Sequence, residues 1–236
     1  MPSRIVSWRL PIGSRRRSTT DASPAGASAP RPLDPLPAAL DAGTTLWRVH
    51  GAHRAPTDLV TSANPSRFGP LVDRDGDPVP LWYGAGDDEG AVFESLFHDV
   101  PFDSPDPRVL RPSFATRVLS PVRTARPLDL IDLTSAGLRR VHLARADLIE
   151  SDAARYPWTR DRAVELRAAA AWAHGMVWVA RQHDRSLAFI LFGDRFPAGA
   201  LEEDPGGGGP LPLGAGAGLE LVETLANRAG IAIAEP

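Results

Sequence analysis

Two apolar runs late in the chain, MVWVA (176–180) and LAFILF (187–192), constrain the fold most. Each is too short for a core helix, and together they read as strands that close a buried core. Upstream, LWRVH (46–50) alternates, with Leu46 and Arg48 on one face and Trp47 and Val49 on the other. The folded part is expected to start at Thr45, and LWYGA (81–85) is a further short strand. Between them, 61–80 is dense in Pro, Gly, Asn and Asp and reads as loop. After Gly86, Asp87 is the expected N-cap of a helix with acids in its first turn, running through AVFESLFHDV to a stop at Pro101. Strands are expected near 116–119 and 128–132, short helices over 134–150, a longer helix over 160–174 and a last one over 218–228. Strands come first and helices are interspersed without regular β–α–β alternation. The pattern predicts an α+β fold in a single domain.

Residues 1–40 differ from the rest. Six arginines stand there against Asp21 and Asp34, and a Pro/Ala/Ser stretch follows that buries too little apolar surface to offset ordering. This segment is expected to be a disordered tail, with the domain over 41–236. The glycines of PGGGGP and GAGAG, over 205–218, follow no strand and lack dinucleotide-binding spacing, so they read as a loop.

Composition removes several chemistries. The chain of 236 residues has no cysteine, which excludes disulfides, thiolate zinc sites and a cysteine nucleophile. All 26 basic residues are arginine, so there is no Schiff-base lysine and no phosphate-loop lysine. An anion would be met by guanidinium groups, His or backbone N–H. A net charge of −3 argues against direct nucleic-acid binding. No apolar run reaches membrane-spanning length, and the basic start lacks the apolar core of a secretory signal. The protein is expected to be soluble and cytoplasmic. The histidines show no metal-binding spacing, so no metal is expected, and no serine lies in a nucleophile elbow.

Four residues stand out. Arg48, inside an apolar strand, is either an ion-paired or edge-strand arginine or a clamp on phosphate or carboxylate. Arg67, in NPSRFGP, is either a solvated loop residue or a second clamp. Tyr83 either caps the core or stacks on a planar ring. Glu94, flanked by residues that want burial, is either on a narrow polar stripe or held in a pocket. His98, four residues on, either pairs with Glu94 or sits at the helix end.

The blocks WRVH, NPSRFGP, LWYGAGDDEGAVFESLFHDVPF, RYPWT, GMVWVARQHD and LFGDR, spread over about 45–195, resemble the RES-domain family. The resemblance implies an ADP-ribosyltransferase-like fold and a toxin of a toxin–antitoxin pair. Such a toxin degrades NAD⁺ at the nicotinamide–ribose bond by hydrolysis or phosphorolysis. NAD⁺ would be the substrate, with inorganic phosphate as a co-substrate in the second case and no further cofactor. A helix-turn-helix antitoxin is the implied partner, and homo-oligomers fit as well. The resemblance assigns catalysis to Glu94 and Arg48, and cofactor binding to Arg48, Arg67, Tyr83 and position 180. The family's serine falls on Ala180, a departure that implies a weakened enzyme. Two alternatives follow: a catalytically weak or dead RES-fold protein that binds NAD or a partner, and an ADP-ribosyltransferase acting on a macromolecule.

Overall fold

A computed structural model describes residues 32–61 and 64–235. In chain order its elements are β1 (Pro37–Leu40), β2 (Thr45–Gly51), β3 (Leu71–Val72), β4 (Pro78–Val79), β5 (Leu81–Ala85) and α1 (Asp88–Val92). The last continues into a π-helical turn over Phe93–Phe97. Then come β6 (Arg108–Leu110), β7 (Arg117–Thr124), β8 (Leu128–Asp132), α2 (Ser135–Arg140), α3 (Arg145–Leu148) and α4 (Tyr156–Ala169). The chain closes with β9 (Gly175–Val179), β10 (Leu187–Phe192), β11 (Leu201–Glu203), β12 (Leu211–Pro212), α5 (Gly216–Arg228) and β13 (Ala232–Ala234).

The main sheet runs in the order β1-β8-β9-β10-β5-β2-β7-β11, and β12 also pairs with β7. Its pairs are antiparallel except β8 with β9. Two small sheets accompany it, β3 with β4 and β6 with β13. The mixed sheet with helices around it is an α+β architecture.

The central strands are buried on both faces, which is why LAFILF shows no polar alternation. Ala188, Ile190 and Phe192 of β10 point into one core with Met176 and Trp178 of β9, against α2 to α4. Phe189 and Leu191 point into another, with Val177, Leu46 and Trp82. A third core joins α1, its π turn and α5. In β2, Leu46, Arg48 and His50 face inward while Trp47 and Val49 are half-buried, as the alternation of LWRVH requires.

Several expectations need correction. The disordered tail was expected to reach residue 40, but Pro37–Leu40 forms β1 and registers Ala38 against Leu130 and Leu40 against Leu128. Ala38 and Leu40 are buried there, so burial next to β8 outweighs a Pro/Ala-rich composition. The rest of that expectation, residues 1–31, lies outside the described residues. The long helix begins at Tyr156, with Pro157 in its first turn, and ends at Ala169 rather than reaching His174. The loop over 205–218 is interrupted by β12, and Gly216 already opens α5.

Candidate functional site

Asp87 caps α1 through Gly90 N–H to Oδ1 at 2.7 Å. The helix then widens, and an i→i+5 turn of this kind re-aims the side chains that follow it. Glu94, Ser95 and His98 consequently share one wall of a cavity of about 340 Å³. That volume lies at the small end of the roughly 300–1,000 Å³ usual for ligand sites. Arg48 comes to it from β2, Tyr83 from β5, Trp178 from β9, Tyr156 from the start of α4, and Ser66 and Arg67 from the loop before β3. The structure thus brings Arg48, Arg67, Tyr83 and Glu94 to one cavity although they are far apart in sequence.

The two arginines are held differently. Arg48 donates through Nη1 to the carbonyls of Pro56 and Asp58, and its guanidinium lies over the Trp82 ring at 5.6 Å. Desolvation lowers its pKa to about 10, so it stays cationic at neutral pH. Its resting contacts hold the 51–59 segment. Arg67 is 7 % exposed, and its Nε and Nη2 have no hydrogen-bond partner among the described residues. Its guanidinium lies 6.0 Å from the Tyr156 ring, and burial again lowers its pKa. Arg67 Nη1 stands 4.0 Å from Glu94 Oε2, too far for a hydrogen bond. Both groups therefore keep capacity for a ligand.

Glu94 Oε1 accepts from the backbone N–H of Arg181 at 2.6 Å. This fixes a carboxylate that is only 13 % exposed. Tyr83 keeps 36 % of its surface exposed, while its hydroxyl sits 3.1 Å from Ser66 Oγ and close under Gly69. A Cβ on Gly69 would stand 2.9 Å from that hydroxyl, so the loop approaches this closely only as glycine. Desolvation pushes the phenol up to about 12, and it remains a neutral hydrogen-bonding group.

Other expectations fare differently. His98 does not pair with Glu94; its Nε2 meets Asp99 Oδ2 at 2.9 Å, and Nδ1 is buried without a partner among the described residues. Ala180 does not line the cavity. It is fully buried in the core beside Trp178 and Ala188, its N–H donating to Ser186 O at 2.9 Å. What position 180 supplies to the site is its neighbour's N–H, on Glu94.

Reasoning from sequence missed Ser66, Tyr156 and Trp178. Trp178 Nε1 is also buried without a partner among the described residues. Tyr156 donates to Asp99 Oδ1 at 3.4 Å, and burial raises its pKa. Only the RYPWT and GMVWV blocks pointed to these two aromatics, and Ser66 carried no signal beyond its place beside Arg67.

Buried polar atoms are ordinarily satisfied. Among the described residues, Arg67, His98 and Trp178, all lining this cavity, have buried polar atoms without a partner, and aromatic and aliphatic side chains line much of the rest. The arrangement suits a ligand with an anionic or acceptor-rich part and a planar part. Among the described residues no cluster of His, Asp and Glu could hold a metal, and no helix is long and apolar enough to cross a membrane.

Comparison with curated proteins and with solved structures found no match. The family model for the RES domain matches residues 45–214, which spans every residue of the cavity. The chain belongs to the RES domain family.

Proposed function

We propose that this protein cleaves the bond between nicotinamide and ribose in NAD⁺. The observation that carries the reading is the pairing of Glu94, a half-buried carboxylate fixed by a backbone N–H, with Arg67, a buried guanidinium with uncommitted donors among the described residues, at one cavity. Arg67 holds the pyrophosphate and Tyr83 packs the nicotinamide. Nicotinamide leaves with the electron pair of the C–N bond, and positive charge develops on the ribose. The Glu94 carboxylate, already oriented by the Arg181 N–H, stabilises that charge more in the transition state than in the bound substrate. Water or inorganic phosphate then bonds to the anomeric carbon, giving ADP-ribose or its 1″-phosphate, and a water acceptor releases its proton. Arg48 holds the wall on which the ribose rests.

A second reading, binding without turnover, rests on the resemblance alone, which puts Ala180 at the family's serine although that position does not line the cavity. One experiment separates the two. Purified protein is incubated with NAD⁺, with and without phosphate, beside Glu94→Ala. Multiple turnovers that depend on Glu94 support cleavage, and the product names the acceptor. Intact NAD⁺ at enzyme near stoichiometric with substrate, together with measurable ADP-ribose binding, supports the second reading.

A further inference from the structure

The turn between β9 and β10 grips the Glu94 segment at both ends. At the far end, Arg181 Nη1 and Gln182 Nε2 each donate to the His98 carbonyl at 3.2 Å, and Gln182 also reaches Val100 O at 2.8 Å. At the near end lies a polar chain that the proposed chemistry does not use. Ser186, 2 % exposed, has its Oγ 2.7 Å from both carboxylate oxygens of Asp87 and 2.6 Å from His183 Nδ1. His183 Nε2 stands 3.2 Å from Glu89 Oε2, and Glu89 is paired in turn with Arg228 of α5. The Phe93 ring stacks on the imidazole at 4.9 Å. A Cβ on Gly90 would lie 2.5 Å from Ser186 Cβ, so the turn is pressed directly onto α1.

The hydrogens in this chain can be counted. A serine hydroxyl has one hydrogen and a carboxylate has none. Asp87 accepts, so Ser186 donates to it. Ser186 Oγ is then the acceptor toward His183, and Nδ1 must carry hydrogen. On its other side the ring faces Glu89, with Nε2 3.2 Å from Oε2. The charged groups facing the ring are Asp87 and Glu89, with Arg228 behind Glu89.

We propose that His183, bridging Ser186 and Glu89, is a positioning residue for Glu94. It locks the turn on the start of the helix so that the Arg181 N–H meets the Glu94 carboxylate. The kinetic half of this proposal rests on the role of Glu94 given above. The structural half does not.

The test follows the Arg181 amide by NMR in the ¹⁵N-labelled full chain. Glu94→Gln should move its proton resonance, which identifies the bond. His183→Ala and Ser186→Ala should each speed Arg181 amide exchange roughly tenfold or more, while Leu130 in the β8 ladder stays unchanged. With NAD⁺, both variants should lower kcat and leave KM within about twofold. Ser186→Ala carries the test if His183→Ala does not fold. Unchanged Arg181 exchange in the variants overturns the proposal, and so does equal acceleration of Arg181 and Leu130, which marks a merely structural role. If the wild type leaves NAD⁺ intact, the proposed reaction falls and the amide measurement still decides on the clamp.

Discussion

The backbone N–H of Arg181 meets Oε1 of Glu94 at 2.6 Å, joining residues 87 positions apart. A carboxylate held this way is oriented before any ligand arrives. Its usefulness depends on β9 being seated, and not on Glu94's own helix alone.

Glu94→Gln keeps an oxygen for the Arg181 N–H and removes the charge. NAD⁺ cleavage should fall by about 10²- to 10³-fold, the range for a preorganised electrostatic contact. ADP-ribose affinity by calorimetry should change far less. Equal losses in both would make Glu94 a binding group only.

Arg67→Met removes a buried cation whose Nε and Nη2 make no hydrogen bonds in the resting structure. Glu94 then loses its nearest cation and keeps the Arg181 N–H, so melting temperature should fall as well, and affinity is measured where the variant is still folded. ADP-ribose binding should weaken roughly 10- to 100-fold, as expected for lost charged hydrogen bonds. Unaltered affinity would move the anion subsite elsewhere.

The chain has two tyrosines, Tyr83 and Tyr156, and desolvation raises both. The fold favours the neutral phenols. Their contribution is complete below the ordinary value of 10 and is lost as pH rises above it, for Tyr83 toward about 12. Ultraviolet titration should show little tyrosinate in the native protein at pH 10.5, about half a unit above the unperturbed value, and nearly full absorbance change after unfolding. A native titration centred on the ordinary value would place both phenols in water.

Glu89 and Asp99 shift the other way, lowered chiefly by hydrogen bonds from Arg228 and His98 respectively. Their stabilisation is present above the ordinary values of 4.5 and 3.8 and is lost as pH falls below them. Melting temperature should hold steady down to this range and then drop. Glu89→Gln with Asp99→Asn should make the drop shallower, and an identical acid limb would exclude these two carboxylates as its source.

Ala180→Ser adds a hydroxyl inside a full core. It should lower stability by about 1–3 kcal/mol, from overpacking and a buried group short of partners. Turnover should stay within a few-fold. A large gain in NAD⁺ cleavage would instead give position 180 a direct part in the site.

What could be read from the sequence was what local chemistry dictates. The alternation of LWRVH, the Asp87 cap and the apolar run over Leu128–Asp132 each appear where their residues put them. Strand β1 was missed because Pro37–Leu40 has no apolar–polar alternation, and the burial of Ala38 and Leu40 comes from residues far along the chain. The three-residue strands β6 and β13 carry no period to detect. The helix over Tyr156–Ala169 was placed too late because AAAWAH continues a helical composition that the structure abandons after Ala169. At the site, Arg48, Arg67, Tyr83 and Glu94 stood out individually as polar groups in awkward surroundings. Their convergence, and the open valences of His98 and Trp178, are products of long-range pairing that no local pattern contains.

The π-helical turn over Phe93–Phe97 carries one residue more than an ordinary helical turn needs. Loss of a single codon there would let the helix relax to its regular pitch and swing His98 about 100° around the axis relative to Glu94. Such a deletion would also turn the fully buried Phe97 away from its place beside Phe93 in the core. For this wall of the cavity, reading-frame-preserving indels are a sharper hazard than most point changes.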